Sequence, residues 1–443
     1  MSVRLPEAFA KRMKTLLGAE YEAFAACYEK EAFRGLRLNP LKTDERTLEA
    51  LVDFPLSKTP FSPLSYYAPA DFKPASYAAH HAGAFYSQEP SAASAVTVLD
   101  PRPGERVLDL CASPGGKSTQ IASLMGGSGL LVANEFVRDR ARVLLSNIER
   151  MGVRNAVVTA ARPDALCQKL EGFFDRVLVD APCSGEGMFR RDPTAAALWT
   201  AETPASCAAR QAAILDSAAL AVRPGGVLTY STCTFSPEEN EKTVEAFLAR
   251  HPAFTPESVS VSFGRPALDG AAVRVYPMDG GEGHFVARLR KTDGAPCRVR
   301  PFSAPKYAKN AEAKAFAKSV FADGIPFDRL YAAGDTVCVL PDGLPALDGI
   351  DVLRAGVALL ADLGKRFEPA HAAFLCRRPA DLAACLDLEP SDERLTAYLR
   401  GEEIACGDAV GYCGVAVKGV VAGFGKASSG CLKNKYPKGL RTR

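Results

Sequence analysis

From about residue 77 to residue 292 the chain alternates short apolar runs with longer stretches of helical periodicity. RVLDL (106–110) is a buried-strand run, and STQIASLM behind it reads as a helix. LLVANE (130–135) followed by RDRARVLLSNIERMGV repeats the pair, and NAVVTA adds a third strand. FDRVLVDAP (174–182) is a fourth strand and SCAARQAAILDSAALAV a long helix with Pro224-Gly225-Gly226 as its stop. VLTYSTCT is a fifth strand and PEENEKTVEAFLARH a further helix. This alternation predicts a mostly parallel sheet with helices on both faces. In such a sheet ligands bind beyond the carboxyl ends of the strands, so the chemistry is to be sought in the loops that follow them.

The pattern changes on either side. LPEAFAKRMKTLL and EYEAFAACYEK have helical periodicity, and FRGLRLNPLK predicts a strand whose basic residues Arg34, Arg37 and Lys42 read as a solvated face. After residue 292 the alternation weakens into a second mixed module, and the last stretch is rich in short strands and glycine turns. The expected units are 1–76, 77–292, 293–375 and 376–443. A length of 443 residues fits this, at about 150 residues per domain.

Composition removes several function classes. A hydrophobic fraction of 47% with 24% charged residues is ordinary for a globular chain. Lys+Arg 54 against Asp+Glu 51 leaves +3, too little for the whole-chain field to name a partner, so any nucleic-acid surface must be local. Charges are scattered through MSVRLPEAFAKRMKTLL, which argues against a signal peptide, and no apolar run approaches the roughly 18 residues of a membrane span. The 13 cysteines include no Cys-x-x-Cys pair and histidine is scarce, so the spacing of a structural zinc site is missing and no metal is expected. A long chain without a secretory signal belongs in a reducing compartment, the cytoplasm, where most thiols are small buried hydrophobes.

The first strand runs into Cys111-Ala112-Ser113-Pro114-Gly115-Gly116-Lys117-Ser118. A glycine pair between strand and helix lets the backbone approach a ligand, and the helix start offers free N–H groups. A Walker A loop would need glycine at Cys111, and GxGxxG fails because the glycines are adjacent. A phosphate cradle is thus disfavoured, a nicotinamide cofactor with it, and an adenosine cofactor lacking phosphate fits: S-adenosylmethionine. Glu135, just past the second strand, is placed to accept both ribose hydroxyls.

Two further loops leave strand ends: Asp180-Ala181-Pro182-Cys183-Ser184-Gly185-Glu186-Gly187 after the fourth strand and Ser231-Thr232-Cys233-Thr234 after the fifth. Each carries a thiol bracketed by polar and turn residues, where helix N-termini and the basic groups Lys117, Arg190 and Arg191 are expected to favour thiolate. A methyl-transfer enzyme needs a thiolate when the acceptor is carbon 5 of cytosine. Addition to carbon 6 makes an enamine-like ring able to attack a methyl group, and loss of the carbon 5 proton expels the thiolate. An acid such as Asp180 can assist at ring nitrogen 3.

CASPGGKSTQIA, DAPCSGEGMFRRDP and STCTFSPEENE together resemble the motif set of the Sun-type RNA cytosine-5 methyltransferases. RLNPLK and FYSQEPSAA resemble the segments leading into that catalytic domain, and RVYPMDGGEGHFVARLRK its last strands. GFGKASSGCLKNKYPKGLR resembles the C-terminus of the bacterial RsmF/YebU type, which modifies small-subunit ribosomal RNA. The likeness spans nearly the whole chain. It implies a Rossmann-like S-adenosylmethionine methyltransferase domain with a small N-terminal RNA-binding module and C-terminal mixed α/β and PUA-like modules. It puts the cofactor on Ala112, Ser113, Pro114, Gly115, Gly116, Lys117, Ser118, Glu135 and Asp180. The residues alone leave open which thiol attacks, since DNA cytosine methyltransferases use the one after proline, here Cys183. The resemblance implies Cys233 as nucleophile, Cys183 in product release and Asp180 at the cytosine. Relatives carry an acid or amide after the third strand to touch adenine; ungapped register gives Arg162-Pro163 here, with Asp164 as the replacement.

Beside such a site, basic runs read as phosphate contacts. The tail has Lys426, Lys433, Lys435, Lys438, Arg441 and Arg443 and no acid, and segment 298–318 has Arg298, Arg300, Lys306, Lys309, Lys314 and Lys318 against Glu312. Both are expected to be helix-free, with Tyr307 and Tyr436 available to stack on bases. The expected reaction is methylation of cytosine in 16S ribosomal RNA, free or in the small ribosomal subunit, by a monomer without membrane contact. The same chemistry on transfer RNA is the alternative.

Overall fold

The computed structural model describes residues 5–322 and 324–442. At the N-terminus, α1 (Glu7–Leu17) and α2 (Tyr21–Cys27) each bury a narrow stripe, Phe9 and Met13 on the first and Phe24 on the second, while Glu7, Lys11 and Lys14 face solvent. A 4-stranded antiparallel sheet follows: β1 (Arg34–Leu38), β2 (Ser57–Lys58), β3 (Ser65–Ala68) and β4 (Phe85–Ser87), in the order β2-β3-β1-β4.

The basic run on β1 is not the solvated face its charges predict. Arg37 is 1% exposed; it donates to Gln88, donates to Thr119 Oγ1 at 2.6 Å and lies 5.3 Å from the Tyr86 ring centroid. The Lys42 ammonium is enclosed too, donating to the carbonyls of Ala82 and Val421, and burial pushes it down to about 7. Arg34 alone of the three stays exposed. Acceptors from distant segments offset the cost of taking these cations out of water.

The central element is a 10-stranded sheet. Its middle is parallel, with β5 (Arg106–Asp109), β6 (Leu130–Asn134), β7 (Ala156–Thr159), β8 (Phe174–Asp180) and β9 (Val222–Thr232) in the order β7-β6-β5-β8-β9. These strands are covered on both faces, which is why their sequences read as continuous apolar runs. Helices α3 (Gly116–Met125), α4 (Arg138–Arg150) and α5 (Thr203–Ala221) belong to this layer. Pro224-Gly225-Gly226 does not stop α5; it lies inside β9, whose start at Val222 directly follows the helix, and Gly225 takes φ 74°. Antiparallel strands β10 (Phe254–Pro256), β11 (Arg265–Ala267), β12 (Ala272–Val275) and β13 (His284–Lys291) continue the sheet beyond β9. Strand order reverses between β5 and β8, so the loops after β5, β8 and β9 share one crevice.

In the segment expected to be helix-free, α6 (Asn310–Val320) carries Lys314 and Lys318, and Lys309 is paired with Asp362 at 3.0 Å. Strands β14 (Leu330–Ala333), β15 (Thr336–Val339), β17 (Val357–Asp362) and β18 (Phe367–Pro369) form a 4-stranded sheet, but β16 (Val352–Ala355) leaves it and pairs antiparallel with β7. That strand caps what would otherwise be an open edge of the central sheet. A 5-stranded sheet ends the chain: β19 (Cys385–Leu388), β20 (Ile404–Ala405), β21 (Gly411–Val417), β22 (Val420–Ser428) and β23 (Cys431–Asn434), in the order β19-β21-β22-β23-β20. It shares one core with the N-terminal module, in which Leu36, Leu38 and Phe85 pack with Leu395, Val415 and Leu432.

Tyr436 is not free to stack on a base. Tyr436 is 4% exposed, its ring 5.4 Å from those of Tyr398 and His371, and the Tyr307 hydroxyl donates to Asp362. Lys426, Lys433 and Lys438 are exposed, Lys435 pairs with Glu368, and Arg443 lies outside the described residues. Among the described residues no helix is long and apolar enough to cross a membrane.

Candidate active site

A cavity of about 630 Å³ opens where the strand order reverses. The loop after β5 supplies its floor. Gly115 takes φ 112° with Leu144 Cδ1 only 3.2 Å from where a Cβ would stand, and a Cβ on Gly116 would meet the Tyr86 ring at 3.3 Å. Beneath this turn Asp109 is fully buried; its Oδ2 accepts from Ser118 Oγ at 2.6 Å, its Oδ1 has no partner, and burial pushes its carboxyl up to about 7. Ala112 is held by its N–H to the Asn134 carbonyl at 2.8 Å, and Pro114 receives Asn147 Nδ2 on its carbonyl. Ser113 lines the cavity itself.

Glu135 lines the cavity beside it. One of its oxygens accepts from the Val137 N–H at 2.9 Å and Arg140 stands 3.3 Å from the other, which leaves carboxylate lone pairs open toward the cavity. Phe136, 59% exposed, and Val137 form the adjacent wall. Arg162 and Pro163 also line the cavity, whereas Asp164 does not: it is exposed, and both its oxygens are taken by Arg162 at 3.0 and 3.1 Å. The arrangement suits an adenosine group, with a carboxylate for hydroxyls and an exposed ring and a proline for a flat base.

Asp180 joins this half of the cavity to the other. Its Oδ2 is 2.8 Å from Lys117 Nζ and its Oδ1 accepts from Ser231 Oγ at 2.8 Å. Burial alone would lower the Lys117 ammonium, but Asp180 and the Cys233 sulfur hold it above its ordinary value. His284 lies behind them, fully enclosed, with Nε2 unpartnered 3.9 Å from Asp180, and burial next to Lys117 pushes it down to about 4. It is therefore a neutral imidazole beside the ion pair.

Cys183 and Cys233 both line the cavity and their sulfurs are 3.3 Å apart. The nearby-cation argument made from sequence fails for Cys183. Its thiol is pushed well up by the hydrogen bond with Cys233 and by burial, and Arg190 is turned instead toward Glu282, 3.6 Å away. Two buried acids hold the thiol loops together. Glu239 accepts from the Ser184 N–H at 2.9 Å, from the Ser184 hydroxyl and from Gln211 Nε2 at 3.0 Å, while Ser184 Oγ is 2.8 Å from Thr234 Oγ1. Glu186 accepts from Trp199 Nε1 at 3.0 Å, from the Phe235 N–H at 3.2 Å and from Arg12 of α1. Replacing Glu186 with alanine leaves these donors unsatisfied in a dry site, so the variant is expected to lose roughly 2–4 kcal/mol of stability, read from the urea midpoint. A loss below about 1 kcal/mol would show that the hub is dispensable.

Of the residues singled out from sequence, the cavity brings together Ser113, Glu135, Asp180, Cys183 and Cys233, with Lys117 reaching in through Asp180; Ser118 is turned away onto Asp109. Sequence reasoning missed Phe136, Val137 and Arg140, for which an apolar pair straight after Glu135 was the available signal. It also missed Arg210 and Ile214, one turn apart on α5, where four-residue spacing is no more than any helix shows.

Comparison with known proteins completes the picture. Residues 96–290 match the family described as 16S rRNA methyltransferase RsmB/F. Residues 5–90 match the N-terminal domain of 16S rRNA methyltransferase RsmF, 315–375 the RsmF rRNA methyltransferase first C-terminal domain and 385–442 the methyltransferase RsmF PUA domain. Ribosomal RNA small subunit methyltransferase F of Klebsiella pneumoniae (strain 342) is 34% identical over 479 residues, covering 99% of this chain and 97% of the relative. The protein of that name from Cronobacter sakazakii is also 34% identical, with the same coverage. The crystal structure of a methyltransferase homologue from Pyrococcus horikoshii is 29% identical, with a TM-score of 0.58 over 65% of this chain and 96% of that one.

Proposed function

The chain belongs to the RsmF family of 16S rRNA methyltransferases, and from that premise we propose that it methylates carbon 5 of a cytosine in 16S ribosomal RNA through a covalent cysteine adduct. The observation that carries this reading is the pair of sulfurs 3.3 Å apart in one cavity with Glu135 and Asp180. Amine and oxygen acceptors need no thiol.

S-adenosylmethionine, when bound, supplies an electrophilic methyl group on a sulfonium. The loop Ala112–Ser118, Glu135, Phe136 and Pro163 hold it in this reading, and Asp180 faces it from the substrate side. Asp164 is left out of that set because Arg162 occupies its carboxylate. Cys233 is the attacking group in this reading: its sulfur lines the cavity 3.3 Å from the Cys183 thiol, which is pushed well up and keeps its proton. Its thiolate forms a bond to carbon 6, the ring's electrons move to carbon 5, and Asp180 with Lys117 holds nitrogen 3. Once carbon 5 carries the methyl group, its proton passes to water admitted to the open cavity. The carbon–sulfur bond then breaks, the double bond returns and Cys233 leaves as thiolate. Cys183, whose thiol keeps its proton, donates a hydrogen bond to that leaving sulfur. The cytosine must leave its stack to reach this site. The N-terminal module and the C-terminal sheet, built on a shared core, grip the RNA around it. The free cysteines suit a reducing cytoplasm.

The test is tritium release. With transcribed 16S rRNA labelled at cytosine carbon 5, tritium is expected to enter water in step with methyl incorporation. Methyl incorporation without tritium release would overturn the carbon 5 assignment.

A further inference from the structure

A second pocket, of about 400 Å³, lies between the N-terminal module and the loop after β8, apart from the cavity described above. Cations dominate its wall: Lys30 and Arg34 from one side, Arg190 and Arg191 from the other. Glu29 and Glu31 also border it and are exposed. Among the described residues no carboxylate lies within ion-pair distance of Lys30, Arg34 or Arg191, and Arg34 and Arg191 are themselves exposed.

Arg190 differs. Its side chain is 4% exposed, its guanidinium lies 5.3 Å over the Phe33 ring, and it donates to the carbonyls of Lys30 and Glu31. Its Nε and Nη1 are buried without a hydrogen-bond partner. Glu282, 3.6 Å away, is also bound by the Phe33 N–H at 2.6 Å. Burial pushes its carboxyl up to about 7, so it neutralises the guanidinium only in part. The pocket thus has a fixed cation, Arg190, at its back and, among the described residues, three cations without an ion-pair partner, Lys30, Arg34 and Arg191, along its wall.

This wall is continuous with the catalytic loop. The Gly187 N–H donates to the Cys233 carbonyl at 2.9 Å, and Gly283, next to Glu282, packs its Cα 3.1 Å from where a Cβ on Gly187 would stand. We infer that this pocket holds a backbone phosphate of the RNA strand beside the nucleotide presented to Cys233, with Arg34 and Arg191 as its contacts and Arg190 orienting the site. Guanidinium groups match a phosphate's paired oxygens, and contacts of this kind set register without reading sequence. A base turned out of its stack needs its flanking backbone pinned to stay in the site. The inference rests on the ribosomal RNA methyltransferase reading.

The test is the R34Q/R191Q double variant of the full chain, assayed for binding to transcribed 16S rRNA across a salt series. Both side chains are exposed, so the fold is kept. Binding is expected to weaken about tenfold at 0.1 M salt, and the slope of log affinity against log salt to lose about 0.7, the share of one single-strand phosphate. KM for RNA should rise with kcat within about twofold, and S-adenosylmethionine affinity should not move. The control R102Q/R142Q removes two exposed cations elsewhere and should bind within twofold of wild type. Unchanged affinity and slope in R34Q/R191Q, with wild type methylating normally, would overturn the pocket assignment, as would an equal loss in the control. Wild type that binds through these arginines yet transfers no methyl would overturn the functional reading and leave the pocket standing.

Discussion

Cys233→Ala is expected to abolish methyl transfer, by on the order of 10⁴-fold or more, while S-adenosylmethionine affinity stays within about twofold. The size follows from the chemistry. Without an adduct at carbon 6, carbon 5 of cytosine is not nucleophilic enough to take a methyl group, and nothing else in the cavity can replace the thiolate. Asp180 is committed to Lys117 and Ser231, the Cys183 thiol is pushed well up by its hydrogen bond with Cys233 and by burial, and burial also pushes up the third thiol of the cavity wall, Cys111. The substitution removes one sulfur from a cavity wall, and the loop keeps its ties, since the Gly187 N–H to the Cys233 carbonyl bond is main-chain. Single-turnover methyl incorporation and cofactor titration on the same preparation separate the two effects. Turnover within tenfold of wild type would move the nucleophile elsewhere.

Cys183→Ala is expected to do the opposite to the adduct. Attack by Cys233 survives, because its sulfur stays in the cavity wall, but the leaving thiolate loses the donor 3.3 Å away and release slows. With labelled rRNA and S-adenosylmethionine, a protein–RNA species should accumulate and survive a denaturing gel, approaching one equivalent of enzyme, while multiple turnover falls by roughly 10²-fold or more. The double variant Cys183→Ala/Cys233→Ala should show no such species. Free turnover by Cys183→Ala with no trapped adduct would remove the release role, and an adduct in the double variant would show that another group attacks.

Glu186 and Glu239 explain why two thiols so far apart in sequence hold this spacing. Each acid lies on one thiol loop and takes a donor from the other, Glu239 from Ser184 and Glu186 from the Phe235 N–H, and Glu186 also takes Arg12 from α1. The N-terminal module is thereby wired to the thiol loops, and the inferred phosphate pocket sits on the same seam. Engagement of RNA by that module and the position of Cys233 share a set of buried contacts.

Much was legible in the chain itself because local rules govern it. Apolar runs of strand length separated by helical periods specify a parallel sheet, and the turn residues at strand ends mark where its loops carry chemistry. Glu135, Asp180, Cys183 and Cys233 could be placed in one crevice on those grounds, before any coordinate. Other features depended on partners that no local window contains. VLRA (352–355) carries no periodic mark, yet β16 forms because β7 leaves an open edge for it. Arg37 and Lys42 look like surface cations, but acceptors at Gln88, Thr119, Ala82 and Val421 draw them inside. Tyr436 looks like a stacking platform but fills the core next to Tyr398. The protonation of the Cys183 thiol was decided last: which sulfur it meets, and how much water is excluded around it, are properties of the packed molecule, because desolvation and hydrogen bonding depend on distances in space rather than along the chain.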